Sequence, residues 1–518
     1  MTKITLDRLA LRSAKPMLLG ILFVTIMCVA LALPAGKVGA QEGSLWLPDQ
    51  RIPGYLDDTF TPFLLADQNR TIHAFASQRV GADNAVGIVY RKWSLKGGWT
   101  TPVNILLSPS GEATAPAAFL DSKGVIHLLF FGGSSGSTNI YYSQAPVEAA
   151  DSFRAWTSPT TIGDKAVGPP FVAITGDDAG QLVMIYTGNM DGSGVYSAYS
   201  IDSGLTWSEP AQVFLTRNPG LVPFSLRIYP GRNGQVHAVW NVVTTLGVDV
   251  SLHYARFDLE TLQWTKPVVL NERTDFRELV FGPSYPSLVD NGSQVVVMYN
   301  NGNPFQNRPV DPGRPVQMVS ISKDNGDTWE PPAVPFIKHL GRSGEHVIVL
   351  DSNHVVHALF IQRIQYVEDE QNKILGGIWH SEYRDALWSD PDRFTTTYAP
   401  HDVRAVISQG NVLLVVWRQD PGAKLLHGVW YSYIILNSPE LPIVFSPTLL
   451  PVSTVTPAPS VLESAVTSTP LVESPVINMK GFPSRFENPA GPLIVAIVTA
   501  ILVLAVVVIL KLLRDRNP

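Results

Sequence analysis

The chain has 518 residues, 45% of them hydrophobic, and a formal net charge of −6 at pH 7. That is apolar enough for a large buried core, and the absence of a basic block argues against nucleic acid as a partner. A single cysteine, Cys28, excludes a disulfide-stapled scaffold.

Lys3, Arg8, Arg12 and Lys15 precede an apolar run from Met17 to Leu33, and Val38-Gly39-Ala40 follows with small residues at a cleavage-site spacing. Residues 1–40 read as a secretory signal peptide; an uncleaved anchor is the alternative, and either leaves the following domain outside the cell. Cys28 falls inside this run, so the exported domain has no thiol and relies on burial alone.

From residue 41 to 436 the chain repeats itself. A Trp followed closely by Pro recurs at Trp46, Trp99, Trp156, Trp207, Trp264, Trp329 and Trp388, at spacings of about fifty to sixty-five residues, the size of a propeller blade. Between the copies lie a Gly/Asn/Asp turn and an alternating apolar segment, as in "KGVIHLLFF" and "GQVHAVWN", and then a second such segment, as in "GVYSAYS" and "SLHYARF". Period-two alternation with β-branched and aromatic residues predicts strands, and a less regular strand before each unit brings the count to four. The expected fold is an all-β seven-bladed β-propeller. The first Trp copy has no strands before it and the last strand set has no Trp copy after it, so "SLWLPDQRI" is expected to supply the outer strand of the last blade and close the ring.

Residues 437–490 are rich in Pro, Ser, Thr and Val and read as an extended stalk. Residues 491–510 contain the uncharged run "LIVAIVTAILVLAVVVIL", long enough for a transmembrane helix, and Lys511, Arg514 and Arg516 place the short tail 511–518 in the cytoplasm. The expected location is the plasma membrane, crossed once, with the propeller outside.

Two octapeptides, "SIDSGLTW" at 200–207 and "SKDNGDTW" at 322–329, share Ser, Asp, Gly, Thr and Trp. They fall between a third and a fourth strand, where a tight turn needs Gly at positive φ and an Asp accepting backbone N–H bonds. Asp202, Gly204, Trp207, Asp324, Gly326 and Trp329 are therefore read as structural. At these residues the chain resembles the Asp-box, or BNR-repeat, propellers, of which the sialidases are the best-known enzymes, and the resemblance covers most of residues 41–436. It implies a ligand site on the face opposite the octapeptide turns, with the long second-to-third-strand loops of units five and six as binding equipment.

Sialidase chemistry requires an arginine cluster to fork a carboxylate, a Tyr nucleophile activated by a Glu, and an Asp acid/base. The resemblance puts Asp83 in the acid/base loop with Arg79 before it, and makes Tyr285, in "SYPSLVDNG", the candidate nucleophile. Glu345 begins an inner strand, and Arg227, Arg314 and Arg404 are candidates to complete the cluster. Arg51-Ile52-Pro53 spells the family's arginine motif, but one strand too early. His73, His127, His237 and His357 share one place in the second strand, where other units carry Val183, Val296 and Leu413. A position that exchanges His for Val and Leu is a packing site, so no metal and no cofactor is expected. Two functions follow: a surface module recognising glycan or protein, or an exo-α-sialidase releasing terminal sialic acids.

Overall fold

The second strand of each repeat reads as an apolar run because both of its faces are covered. In Leu182–Gly188 every residue is buried, and in Val412–Gln419 all but Arg418. Such a strand belongs to a sheet sandwiched between two others. The computed structural model describes residues 45–81, 85–134, 137–166, 171–273, 282–302, 315–336, 341–365, 377–395, 400–419 and 428–444.

These residues form seven radial antiparallel blades; blades 2 and 3 count as one sheet only through a single bridge, Ala166 to Gly188. The inner strands are Phe63–Ala66, Ala113–Leu120, Val172–Gly176, Leu221–Pro230, Ser284–Asp290, Gly341–Leu350 and Pro400–Ser408. Each touches the next, and Phe63–Ala66 touches Pro400–Ser408, so the ring is closed. Apolar clusters fill the seams, as where Leu226, Ala238 and Trp240 of blade 4 meet Ala173, Ile185 and Val195 of blade 3.

The expected closure is observed. Gln50 and Arg51 pair with Tyr431 and Trp430 of the last blade, Leu47 N–H donates to Tyr433 O at 3.1 Å, and Ile52 N–H donates to Val429 O at 2.9 Å. Trp46 stacks on Phe394 of blade 6 at 4.0 Å, so the closing segment also spans a seam. Beyond Leu436 the chain stays on the propeller: Leu441 N–H donates to Gln409 O at 2.7 Å. The first residues assigned to the stalk, 437–444, therefore lie against the last blade, while the rest of the stalk, the signal peptide and the membrane helix fall on residues outside those described. Among the described residues no helix is long and apolar enough to cross a membrane.

The two octapeptide turns are built alike. Ser200 Oγ donates to Asp202 Oδ1 at 2.8 Å and accepts from Gly204 N–H at 2.9 Å, while Asp202 accepts from Thr206 N–H and Oγ at 2.8 and 2.6 Å. Ser322, Asp324, Gly326 and Thr328 repeat the pattern. The Thr206 and Thr328 hydroxyls are the leading cause holding both Asp carboxyls low, Asp324 at about 2.

Each turn also docks on the preceding blade. Trp207 meets Tyr142 edge-on at 5.2 Å and Trp329 meets Tyr254 at 4.8 Å. Those tyrosine hydroxyls contact His127 and His237 Nδ1 at 2.7 Å each, and His127 Nε2 lies 3.3 Å from Asp121. His73 does the same with Tyr90 and Asp67. The repeated histidine is thus a buried link between a turn Asp and a neighbouring strand.

Gly204 has φ +81°, and a Cβ there would stand 1.8 Å from Tyr142 Oη. Gly204→Ala is expected to lower stability by about 2 kcal/mol, from the left-handed backbone and the overpacked tyrosine together. Gly234 has φ +67° with nothing within 4 Å, so Gly234→Ala carries the backbone cost alone. Denaturant midpoints of the two variants give the comparison; equal losses would remove the packing component.

Candidate functional site

The octapeptide turns share a face with the first-to-second-strand turns, since Ser203 N–H donates to Gly180 O at 3.0 Å. On the other face the second-to-third-strand loops meet the crossovers between blades. Thr216 N–H donates there to Ser193 O at 3.0 Å. An open cleft lies between them, lined by Asn189, Asp191, Ser193, Thr216 and Arg217. The long loops of units five and six, at 303–314 and 366–376, lie outside the described residues.

Inner strands begin at this loop-bearing face, and near their start five of them lose register at the same place. The breaks lie between Thr114 and Ala117, Phe224 and Arg227, Ser284 and Ser287, Ser343 and His346, and His401 and Arg404. Ala115, Ser225, Tyr285 and Asp402 sit there at φ +49°, +49°, +50° and +48°. A left-handed non-glycine residue costs about 1–2 kcal/mol, and a bulge re-aims the side chains that follow it. In blades 4 to 7 the residue directly after the break is Arg227, Ser287, His346 and Arg404.

Three of these are linked electrostatically, Arg227 acting on both Arg404 and His346. Arg227 and Arg404 interact electrostatically, with Asp402 opposing, although blades 4 and 7 stand across the ring. Arg227 Nη1 donates to Leu226 O at 2.9 Å. Arg404 Nε and one terminal nitrogen both lie 3.0 Å from Asp402 Oδ1. Burial first and Arg404 second press the Arg227 pKa down to about 9, which leaves it cationic at neutral pH. His346, on the inner strand of blade 6, lies 2.9 Å from Met298 O through Nε2. Burial holds His346 neutral, at about 4. Two arginines facing one aspartate leave a local excess of positive charge inside a walled channel, where its field is concentrated.

Tyr285 is half-buried at its break in blade 5. Glu345, next to His346, is also half-buried, with Oε2 turned away from solvent. Arg79 stands at the end of a second strand, exposed and paired with Asp58 at 2.9 Å, apart from the channel pair. Asp83 and Arg314 lie outside the described residues. Arg51 belongs to the closing strand and pairs with Asp57.

The structure adds a carboxylate that the sequence did not single out. Asp249 opens the third strand of blade 4, accepts from Asn241 Nδ2 at 3.0 Å, and hydrogen-bonds Ser284, the neighbour of Tyr285. Burial is the main cause raising its pKa to about 7, against the opposing pull of Asn241 and Arg273. Gly282 makes this closeness possible, because a Cβ there would stand 2.4 Å from Asp249 O. A carboxyl that titrates near neutrality can hold or release a proton in catalysis.

No protein-family model and no curated protein sequence matches the chain. Among solved structures, an ulvan polysaccharide lyase is similar at 12% identity and a TM-score of 0.49, over 74% of this chain and 96% of that one. A protein of unknown function from Dyadobacter fermentans is similar at 16% identity and a TM-score of 0.44, over 76% and 98%. An α-L-arabinofuranosidase from Podospora anserina follows at 16% identity and a TM-score of 0.33, over 49% and 88%. Likeness at this level transfers no activity, so function rests on the site itself.

Proposed function

We propose that the protein is a surface-displayed propeller that recognises acidic glycans, seating a sugar carboxylate in the channel mouth between Arg227 and Arg404. The observation that carries this reading is the electrostatic coupling of Arg227 and Arg404, each directly after a register break in an inner strand, with Asp402 as the opposing carboxylate. Planar guanidinium forks suit a carboxylate better than point charges do. The polar cleft at Asn189, Asp191 and Thr216 on the same face offers hydroxyl partners for further sugar units. Residues 437–441 run along the opposite, turn-bearing face. Membrane tethering through 491–510 belongs to the same proposal and draws its support from the uncharged apolar run.

A second reading, a sialidase-like hydrolase acting on the same ligand, draws on Asp249 at about 7, one residue away in contact from Tyr285. Full-length chain in detergent, presented with sialylated, uronic-acid and neutral glycans, is expected to bind only the acidic ones. Equal binding of neutral glycans would overturn the proposal. Release of 4-methylumbelliferone from its α-sialoside, lost in Tyr285→Phe, would favour the hydrolase; binding without release favours recognition alone.

A further inference from the structure

Blade 6 departs from the histidine link at two positions together. His357 occupies the place of His73, His127 and His237, and its Nε2 lies 3.5 Å from Asp351 Oδ2, as His73 and His127 face their turn carboxylates and His237 faces Asp290 of the next blade. In blades 1, 2 and 4 its Nδ1 faces a tyrosine hydroxyl. The register puts His380 where Tyr90, Tyr142 and Tyr254 stand, because His380 pairs with Leu359 as Tyr90 pairs with Phe75. His357 Nδ1 accordingly meets His380 Nε2 at 2.9 Å. Two residues on, Glu382 replaces Lys92, Gln144 and Arg256, and its Oε1 lies 3.8 Å from His357 Nδ1. A tyrosine donor and a basic or neutral neighbour have become a second imidazole and a carboxylate.

We infer that His357, His380 and Glu382 form a binding site for a zinc-class divalent transition cation, with Asp351 orienting His357. One ligand atom from each residue falls within 4.8 Å of the others. Donors around a tetrahedral ion stand roughly 3.3 Å apart, given metal–ligand distances of about 2.0–2.2 Å. The observed 2.9 and 3.8 Å bracket that spacing. Asp351 facing Nε2 fixes the His357 tautomer, turning the Nδ1 lone pair toward His380 and Glu382, the outer support that metal-binding imidazoles use. His380 then offers its own Nε2 lone pair by moving its proton to Nδ1, with no net proton released. Imidazole nitrogen with carboxylate oxygen selects zinc, nickel or copper over calcium or magnesium.

The surroundings suit a structural role. Both imidazoles are buried, and Glu382, with 34% of its side chain exposed, provides the way in. Arg384 pairs with Glu382 Oε2 at 3.3 Å, leaving Oε1 on the histidine side. Trp46 of the closing segment meets His380 edge-on at 5.4 Å, so an ion here would brace blade 6 beneath the strand that completes the ring.

The test uses full-length chain without a histidine tag, stripped with EDTA and titrated with zinc chloride, with cobalt substitution to read the ligand-field absorption of a nitrogen–oxygen site. One zinc per chain and a higher melting temperature are expected. His380→Tyr restores the pattern of the other blades and is expected to fold while losing the high-affinity site. Glu382→Gln is expected to weaken binding tenfold or more. Asp351→Asn, acting through His357, is expected to weaken it about tenfold while leaving the ligand-field band in place at saturation. Zinc binding unchanged in both His380→Tyr and Glu382→Gln, or no saturable binding by the unaltered chain, overturns the inference.

Discussion

Arg404→Ala is expected to weaken binding of an acidic glycan about a hundredfold, and Arg227→Ala about tenfold. Removing one partner of an enclosed, hydrogen-bonded charge pair costs about 2–5 kcal/mol, and each 1.4 kcal/mol is tenfold in affinity. The two arginines differ because Asp402 lies against Arg404. Loss of Arg404 removes a fork and also leaves Asp402 as an uncompensated negative charge facing the ligand. Arg227 is closer to a spare cation: its loss relieves repulsion from Arg404 and keeps the Arg404–Asp402 pair whole. Arg404→Lys keeps the charge without the fork, so an intermediate loss is expected. Affinities measured by titration calorimetry, with melting temperatures as folding controls, decide the matter. Losses within twofold in both alanine variants would place the carboxylate elsewhere.

The blade count, the strand pairing across the chain's two ends and the octapeptide turns were legible because each is a local, repeated pattern. Trp46 without strands before it and "YSYIIL" without a Trp after it defined complementary fragments, and the structure pairs them at Gln50–Tyr431 and Arg51–Trp430. The site was legible residue by residue but not as a set. Arg227 and Arg404 were candidates for the cluster from sequence, yet only the structure shows that each directly follows a register break with left-handed backbone, at Ser225 and Asp402. Arg79 was chosen from its neighbours in sequence and proves to be an exposed partner of Asp58. Asp249 gave no signal, because its character comes from Gly282 and Ser284 closing over it from the next blade. His380 was readable: the three other units that carry the second-strand histidine have Tyr90, Tyr142 and Tyr254 in its column, whereas comparing histidines across blades finds only ligands too far apart.

Asp249→Asn is expected to stabilise the protein by up to about 4 kcal/mol at pH 8 and to leave it unchanged near pH 4. An Asp titrates near 3.9 in the unfolded chain, and each unit of displacement is worth about 1.4 kcal/mol. In the folded protein Asp249 titrates at about 7. Between those values the folded state holds a proton that the unfolded state has released, so the Asp249 contribution is fully present below about pH 4 and is lost as pH rises through 7. Asparagine keeps the shape and still accepts from Asn241, but has no charge to desolvate above pH 7. Subtracting the two stability–pH curves, from denaturant unfolding of full-length chain, cancels every other titrating group. Parallel curves would mean that water or Arg273 stabilises the carboxylate as well as bulk solvent does. A rising difference would make Asp249 a charge that the fold tolerates at a cost, and such costs concentrate where a proton is used. The same substitution then separates the two functional readings. Acidic-glycan binding through Arg227 and Arg404 should survive it, while any sialoside hydrolysis that depends on a proton held at Asp249 should fall together with the pH slope.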